Sequence, residues 1–222
     1  MSHNLYIVDD DRAVRSSLCR LLSYSPAYTT FEYASGDAFL EHCRQLQPGV
    51  VLLDFHMDGT DGLAVLKAMR DLSDRFVIVM LTAHGGVQRS VEAMHCGAFD
   101  FLEKPYDSAK LLACLEEATA KLDAKCAATT ARDAARDRLA ELSPREADVL
   151  DGLLTGYSNK QIAWKLDISP RTTEIYRANM MQKLKVRSLV EALLIIFRAD
   201  PERVSRQAFA SAPRSGVGRR TL

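Results

Sequence analysis

The sequence predicts two folds in series: a doubly wound α/β domain over residues 1–120 and an all-α domain over residues 142–200. Three observations carry this. Short apolar segments alternate with amphipathic helical ones as far as Lys121, and beyond Ser143 the pattern is helical only. The third observation is charge. The 29 acidic and 29 basic side chains cancel to a net +0, yet residues 1–120 hold 17 acids against 10 bases and residues 121–222 hold 12 against 19. Halves of −7 and +7 imply two domains with different partners, the second suited to a polyanion. A length of 222 residues with 47% hydrophobic and 26% charged residues excludes a fibrous or wholly disordered chain.

The elements follow in order. Leu5-Tyr6-Ile7-Val8 reads as a buried strand, then a helix runs from Arg12 to Leu22 and stops at Ser25-Pro26. A strand from Thr29 to Tyr33 leads to a helix after Ser35 that ends before Pro48-Gly49. Val50-Val51-Leu52-Leu53 is a continuous apolar strand, followed by a helix from Leu63 to Met69. Phe76 to Leu81 is the fourth strand, Val87 to His95 a helix ended by Gly97, and Phe99 to Leu102 the fifth strand. A last helix starts near Asp107. Apolar strands between amphipathic helices indicate a parallel sheet covered on both faces, a (βα)5 domain of the flavodoxin-like sort.

Residues 121–141 are rich in Ala, Asp and Arg and lack Gly and Pro, so they read as a helical linker continuing that last helix. Ser143-Pro144-Arg145-Glu146 and Ser169-Pro170-Arg171-Thr172 both read as helix starts, Ser as the cap and Pro at the first helical position. Glu146 completes a capping box. Residues 201–222 read as a basic, disordered tail. The acidic N-terminus does not resemble a signal peptide, and Leu189–Phe197 is too short to span a bilayer. Five scattered cysteines without C-x-x-C spacing fit reduced thiols in a cytoplasmic protein, not a disulfide framework or zinc site.

In an open parallel sheet, ligands bind beyond the carboxyl ends of the strands. There the first strand is followed by Asp9-Asp10-Asp11, the third by Asp54, the fourth ends in Thr82 and the fifth in Lys104-Pro105. Each has a bland reading: an Asp run favours a helix N-terminus, a strand-end Thr is usually structural, and Lys-Pro is an ordinary loop. Their conjunction at four strand ends points to chemistry instead. Clustered carboxylates need a cation, and Mg²⁺ suits hard oxygen ligands. Asp54 beside it could attack phosphorus, with Lys104 and Thr82 contacting the transferred oxygens.

Asp9-Asp10-Asp11, Leu52-Leu53-Asp54-Phe55-His56-Met57, Thr82-Ala83-His84-Gly85 and Phe99-Asp100-Phe101-Leu102-Glu103-Lys104-Pro105 together resemble the receiver domain of two-component response regulators. The resemblance implies phosphorylation of Asp54 by a sensor histidine kinase. It also implies Mg²⁺ held by Asp9, Asp10, Asp54 and the backbone carbonyl of His56. Thr82 then corresponds to the switch hydroxyl, Phe101 to the switch aromatic, and Lys104 to the phosphate-contacting lysine, with a cis Lys104-Pro105 bond. One position departs. Such receivers usually read Asp-x-x-Met-Pro-Gly, and here Asp58 stands in place of the proline. This frees a backbone φ and adds a negative charge near the metal, with metal affinity and phosphoryl lifetime as the two properties it could alter.

In residues 158–183, Ile162, Ala163, Leu166, Ile168, Ile175 and Tyr176 define two short helices meeting at Asp167, which is helix-turn-helix spacing. The second helix offers Arg171, Thr172, Thr173, Glu174, Arg177, Asn179 and Lys183 for phosphates and base edges, and Lys185 and Arg187 extend the basic surface. Spacing alone leaves ordinary amphipathic helices as an alternative. Leu142–Glu146, Asn159-Lys160-Gln161-Ile162-Ala163 and Ser169–Asn179 resemble the LuxR-type output domain. The resemblance implies a four-helix DNA-binding unit, with Lys160 among its DNA contacts. Over residues 1–200 the architecture resembles the NarL/FixJ group, nearest to its FixJ members. The apolar residues of the last helix, Leu189, Val190, Leu193, Leu194 and Phe197, divide between core and an implied dimer face, for which Leu189 and Leu193 are the candidates.

The expected function is a cytoplasmic transcriptional regulator, not an enzyme. Phosphorylation would draw Thr82 toward the phosphoryl group, turn Phe101 inward, and repack the surface around Val87, Val91 and Met94 into a dimer interface. The expected partners are the kinase, double-stranded DNA, RNA polymerase and a second copy of the chain, with no membrane. The rivals are a phosphohydrolase using the same aspartyl phosphate, disfavoured by His56 where its second acid should stand, and an output domain that binds protein or RNA.

Overall fold

The computed structural model describes residues 2–83 and 87–203, which fall into two compact units, Met1–Thr129 and Thr130–Leu222. In the first, β1 (His3–Val8), β2 (Tyr28–Tyr33), β3 (Gly49–Asp54), β4 (Phe76–Thr82) and β5 (Asp100–Glu103) alternate with α1 (Arg12–Leu22), α2 (Gly36–His42), α3 (Gly62–Ala68) and α4 (Val87–His95). α5 (Ser108–Ala140) follows, and the division between the units falls within it. Its 33 residues contain neither Gly nor Pro, so nothing in the sequence stops the helix at the expected linker.

The sheet is wholly parallel with strand order β2-β1-β3-β4-β5. Alternate residues of each strand enter opposite layers, which is why β3 and β4 are apolar at nearly every position. Tyr6, Val8, Val51, Leu53, Ile78 and Met80 join one core with Phe39, Val65, Leu66 and Ala93 of α2, α3 and α4. Leu5, Ile7, Val50, Leu52, Val79 and Leu81 join the other with Leu18 and Leu22 of α1 and Leu111, Leu115 and Ala118 of α5. Tyr6 stacks near Phe31, Phe39 and Phe76 while its hydroxyl donates to the Gln47 carbonyl at 2.8 Å, so its polar end is satisfied. The observed strands differ from expectation mainly at their ends: β1 starts at His3 and β5 is displaced to Asp100–Glu103, because parallel pairing with β2 and β4 extends beyond the apolar run.

The second unit contains α6 (Pro144–Leu154), α7 (Asn159–Leu166), α8 (Pro170–Lys183) and α9 (Leu189–Ala199). Ser143, Ser158, Ser169 and Ser188 each cap one of these helices by accepting a backbone N–H. The capping box at Ser143–Glu146 is joined by a second at Ser158–Gln161, which the Ser-x-x-Gln spacing encodes. α6 and α7 meet at Gly152, where a β-carbon would lie 2.7 Å from the Ile162 side chain. The reversal between α7 and α8 is a left-handed residue, Asp167, with φ 55°. Val149, Leu150, Ile162, Met180, Ala192 and Ile196 fill the core. Of the expected tail, residues 204–222 lie outside the described residues.

Glu146 is buried and accepts a hydrogen bond from Lys183 Nζ at 2.7 Å, tying the start of α6 to the end of α8. That ammonium holds the Glu146 carboxyl below the usual carboxylate range. A depressed folded value means the stabilisation is complete above the unfolded-state value of about 4.3 and is lost as pH falls through the lower folded one. Glu146→Gln keeps the capping box and removes the ion pair. It should cost about 2 kcal/mol at pH 7 and flatten the acid limb of the helical unit's stability, read from urea titrations across pH by far-UV circular dichroism.

Candidate functional site

The β-strand ends bring Asp9, Asp10 and Asp54 together, one ligand oxygen of each lying within 4.8 Å of the others. Asp9 is 1% exposed, Asp54 5%, and Asp10 lies at the surface. Lys104 follows β5 and bridges two of the three, its Nζ donating to Asp9 Oδ2 at 2.6 Å and to Asp54 Oδ1 at 2.8 Å. Burial pushes the Asp54 carboxyl above its ordinary value, opposed by the bonds from Lys104 and reinforced by Asp9 and Asp10. For Lys104, burial alone would lower the ammonium's pKa, but its bonds to the two carboxylates outweigh this and raise it. The pair is therefore a buried ion pair with one acid in excess. The Lys104-Pro105 bond is cis.

Thr82 ends β4 with 1% exposure, and its carbonyl accepts the Lys104 backbone N–H at 2.6 Å, which joins the two strand ends. Phe101 is half-buried against the core layer that contains Met80. His56 is exposed beside Phe55 and lines an open groove of about 550 Å³ with Asp10, Met57, Asp58, Asp61, Leu63 and Glu92. Asp11 takes the bland reading: its side chain accepts the Ala13 N–H at 2.7 Å and caps α1. Arg15 was not singled out by sequence reasoning. Its Nη1 donates to the carbonyl oxygens of Asp9 at 2.7 Å and Asp10 at 3.1 Å, so a cation holds the backbone that aims both acids. A basic residue one helical turn beyond the acidic run is the signal that could have found it.

The reading helix needs one correction. Thr173 is 0% exposed and its hydroxyl bonds the Ser169 carbonyl, so it belongs to the core and not to a DNA face. Lys183, its side chain 39% exposed, donates to buried Glu146 and to the Glu141 carbonyl, so it also ties the unit's own scaffold. Arg171, Glu174 and Asn179 are exposed, as is Lys160 on α7. Thr172 shares a 2.7 Å hydroxyl contact with Ser169, and Arg177 Nη1 donates to Asn159 Oδ1 at 3.3 Å. The outward face is completed by Ile175, counted as an interior position from sequence but 53% exposed, and by Ala178. Trp164 on α7 is 83% exposed.

The dimer candidates also shift. On α9, Leu189 packs against the core and Leu193 is half-buried, while Val190, Leu194 and Phe197 are exposed at helical spacing on one face. Ala192, Ile195, Ile196 and Ala199 take the opposite face. On α4, Val91 and Met94 are exposed. The Val87 side chain, His84 and Gly85 lie outside the described residues.

The chain matches the family described as response regulator receiver domain over residues 5–116 and that described as bacterial regulatory proteins, luxR family, over residues 140–196. It is 41% identical over 196 residues to the transcriptional regulatory protein FixJ of Bradyrhizobium diazoefficiens, covering 88% of this chain and 95% of that protein. It is 36% identical over 189 residues to the tetrathionate response regulatory protein TtrR of Salmonella typhimurium, covering 85% and 89%. Among solved structures, the response regulator StyR superposes with a TM-score of 0.76 at 34% identity over 88% of this chain and 98% of that one. Full-length FixJ from B. japonicum gives 0.55 at 40% identity over 90% and 98%.

Gly62 opens α3 directly under the site, and a β-carbon there would lie 2.1 Å from the Asp54 carbonyl oxygen. Because that neighbour is backbone, Gly62→Ala should destabilise the first unit by about 3 kcal/mol or more, measured by urea denaturation.

Proposed function

From the premise that this chain belongs to the FixJ-like response regulators, a receiver domain joined to a LuxR-type DNA-binding domain, we propose that Asp54 accepts a phosphoryl group from a sensor histidine kinase. Response regulators of the FixJ/LuxR type are DNA-binding transcription regulators and not enzymes, which removes the phosphohydrolase reading. The observation that carries the proposal is Lys104 bridging Asp9 and Asp54 at the strand ends. In the reaction, an Asp54 carboxylate oxygen attacks phosphorus, the P–O bond forms, and the bond to the donor's imidazole nitrogen breaks. Lys104 holds positive charge where the phosphoryl oxygens arrive, and the Thr82 hydroxyl is the donor that follows them.

The donor set fits Mg²⁺: three carboxylates within reach of one another, all hard oxygen ligands, with neither Cys nor His in the group. Asp9, Asp10, Asp54 and the His56 carbonyl would hold it. When bound, it neutralises charge on the transferring phosphoryl oxygens.

The remaining assignments extend this reading. The receiver occupies 1–120, a helical linker 121–141, the output domain 142–200 and a basic tail 201–222. Inward packing of Phe101 favours pairing through the exposed Val91 and Met94 of α4, and Val190, Leu194 and Phe197 of α9 pair the output domains. Arg171, Glu174 and Asn179 meet base edges of duplex DNA, with Lys160, Thr172 and Arg177 on phosphates. RNA polymerase is the downstream partner and the cytoplasm the compartment. Among the described residues, no helix is long and apolar enough to cross a membrane.

Sizing the full chain with Mg²⁺ and acetyl phosphate tests the switch. Wild type should be phosphorylated and move toward a dimer while Asp54→Ala stays unchanged; a wild type that does neither overturns the mechanism. For DNA, Ile175→Ala should relax discrimination at a thymine position by about 1 kcal/mol, since an apolar side chain on a reading helix meets the thymine methyl. Arg177→Ala should weaken all sequences and shallow the salt dependence by about one charge. Gel shifts across a salt series and a panel of single-base changes read both.

A further inference from the structure

Each acid of the pocket is held differently. Asp9 accepts the Asp11 N–H at 2.9 Å and the Lys104 ammonium, and Asp54 accepts the same ammonium. The exposed Asp10 carboxylate instead accepts the backbone N–H of Asp58 at 3.1 Å, through Oδ2. Residue 58 is the position where the receiver motif usually carries proline, and proline has no N–H to give. The loop around it is fixed from its far side. Gly59 turns with φ 80°, Thr60 Oγ1 donates to Asp37 Oδ1 at 2.5 Å, and the Asp61 side chain accepts the Ala64 N–H at 2.7 Å to cap α3. The direction of the Asp58 N–H is therefore set by the loop, while Asp10 has an exposed side chain whose rotamers cost entropy to fix.

We propose that Asp58 is a positioning residue for the acidic pocket, its backbone N–H fixing through Oδ2 the Asp10 carboxylate that would help hold Mg²⁺. This rests on the metal-dependent phospho-acceptor reading above. Hydrogen bonds to a ligating carboxylate orient the ligand, and losing such a partner typically costs 10–100-fold in metal affinity. The role belongs to the main chain. The Asp58 carboxylate, by contrast, adds a solvent-screened charge in the groove. Two properties of one residue are thus separable by substitution: Asn and Ala keep the N–H and remove the charge, and Pro removes both.

Calorimetric titration of MgCl2 into the full chain tests this. Asp58→Ala and Asp58→Asn should bind Mg²⁺ with the same affinity within a few-fold, and Asp58→Pro should bind about tenfold more weakly than Asp58→Ala. Equal affinities for the Pro and Ala variants overturn the proposal. A wild type that takes up no Mg²⁺ overturns the metal pocket itself and this inference with it. Amide hydrogen exchange at residue 58 supplies an arm independent of the proline substitution. In the wild type that amide should exchange at least several-fold more slowly than in Asp10→Ala, and equal rates would show that the bond is not made.

Discussion

One ammonium among three carboxylates is the constraint on which the first unit depends. Lys104 reaches Asp9 and Asp54 only because β5 pairs with β4, β4 with β3, and β3 with β1, so that four strand ends finish level. Acids this close would repel unless neutralised, and a single lysine leaves two of the three negative charges uncompensated. That deficit explains the rest of the pocket's architecture. The third acid, Asp10, sits at the surface where water screens it, Arg15 places a second cation behind the backbone of both N-terminal acids, and a hard cation can complete the balance.

The same strand ends carry Thr82 and Phe101, the switch residues of the proposed scheme, so chemistry and packing share atoms. The Thr82 carbonyl accepts the Lys104 N–H, and Phe101 stands three residues before that lysine, half-buried against the core layer of Met80. Any movement of charge at Asp54 is felt by Lys104 and, through two residues of strand, by Phe101. The packed core does not deform gradually, so in the proposed scheme a change there would be transmitted as a rearrangement of the Phe101 side chain.

Much of this was legible in the sequence, for identifiable reasons. Strand and helix periods differ, so apolar runs at β3 and β4 and spaced apolar positions in α1 and α8 announced themselves, and Ser-Pro pairs marked two helix starts. What was misread is also instructive. Thr173 is polar and lies amid basic residues, yet it falls on the core side of α8 with its hydroxyl spent on the preceding turn. Leu189 and Val190 are equally apolar, and the register of α9 alone sends one inward. Lys183 was counted as a free cation because its partner Glu146 is 37 residues away. The Asp58 N–H was invisible for a different reason: a missing proline registers as lost rigidity, whereas the gained donor exists only once Asp10 is placed beside it.

These internal commitments bear on how the output domain can work. The +7 balance of residues 121–222 overstates what α8 offers to DNA, since Lys183 is tied to Glu146 and Arg177 leans on Asn159. Arg171 is the one basic residue of that helix classed as exposed, beside an acid, Glu174, and an apolar Ile175. Affinity for duplex DNA rises steeply with the number of phosphates neutralised, so in the proposed scheme α8, with few free cations, supplies discrimination more than grip. In that scheme, two copies joined through their receivers would hold the second reading helix at high effective concentration near its half-site, multiplying affinity without a new contact. In the proposed scheme the weakness of the single unit is then functional. Pairing controlled at Asp54 changes occupancy only if one output domain alone binds too weakly to remain on its site.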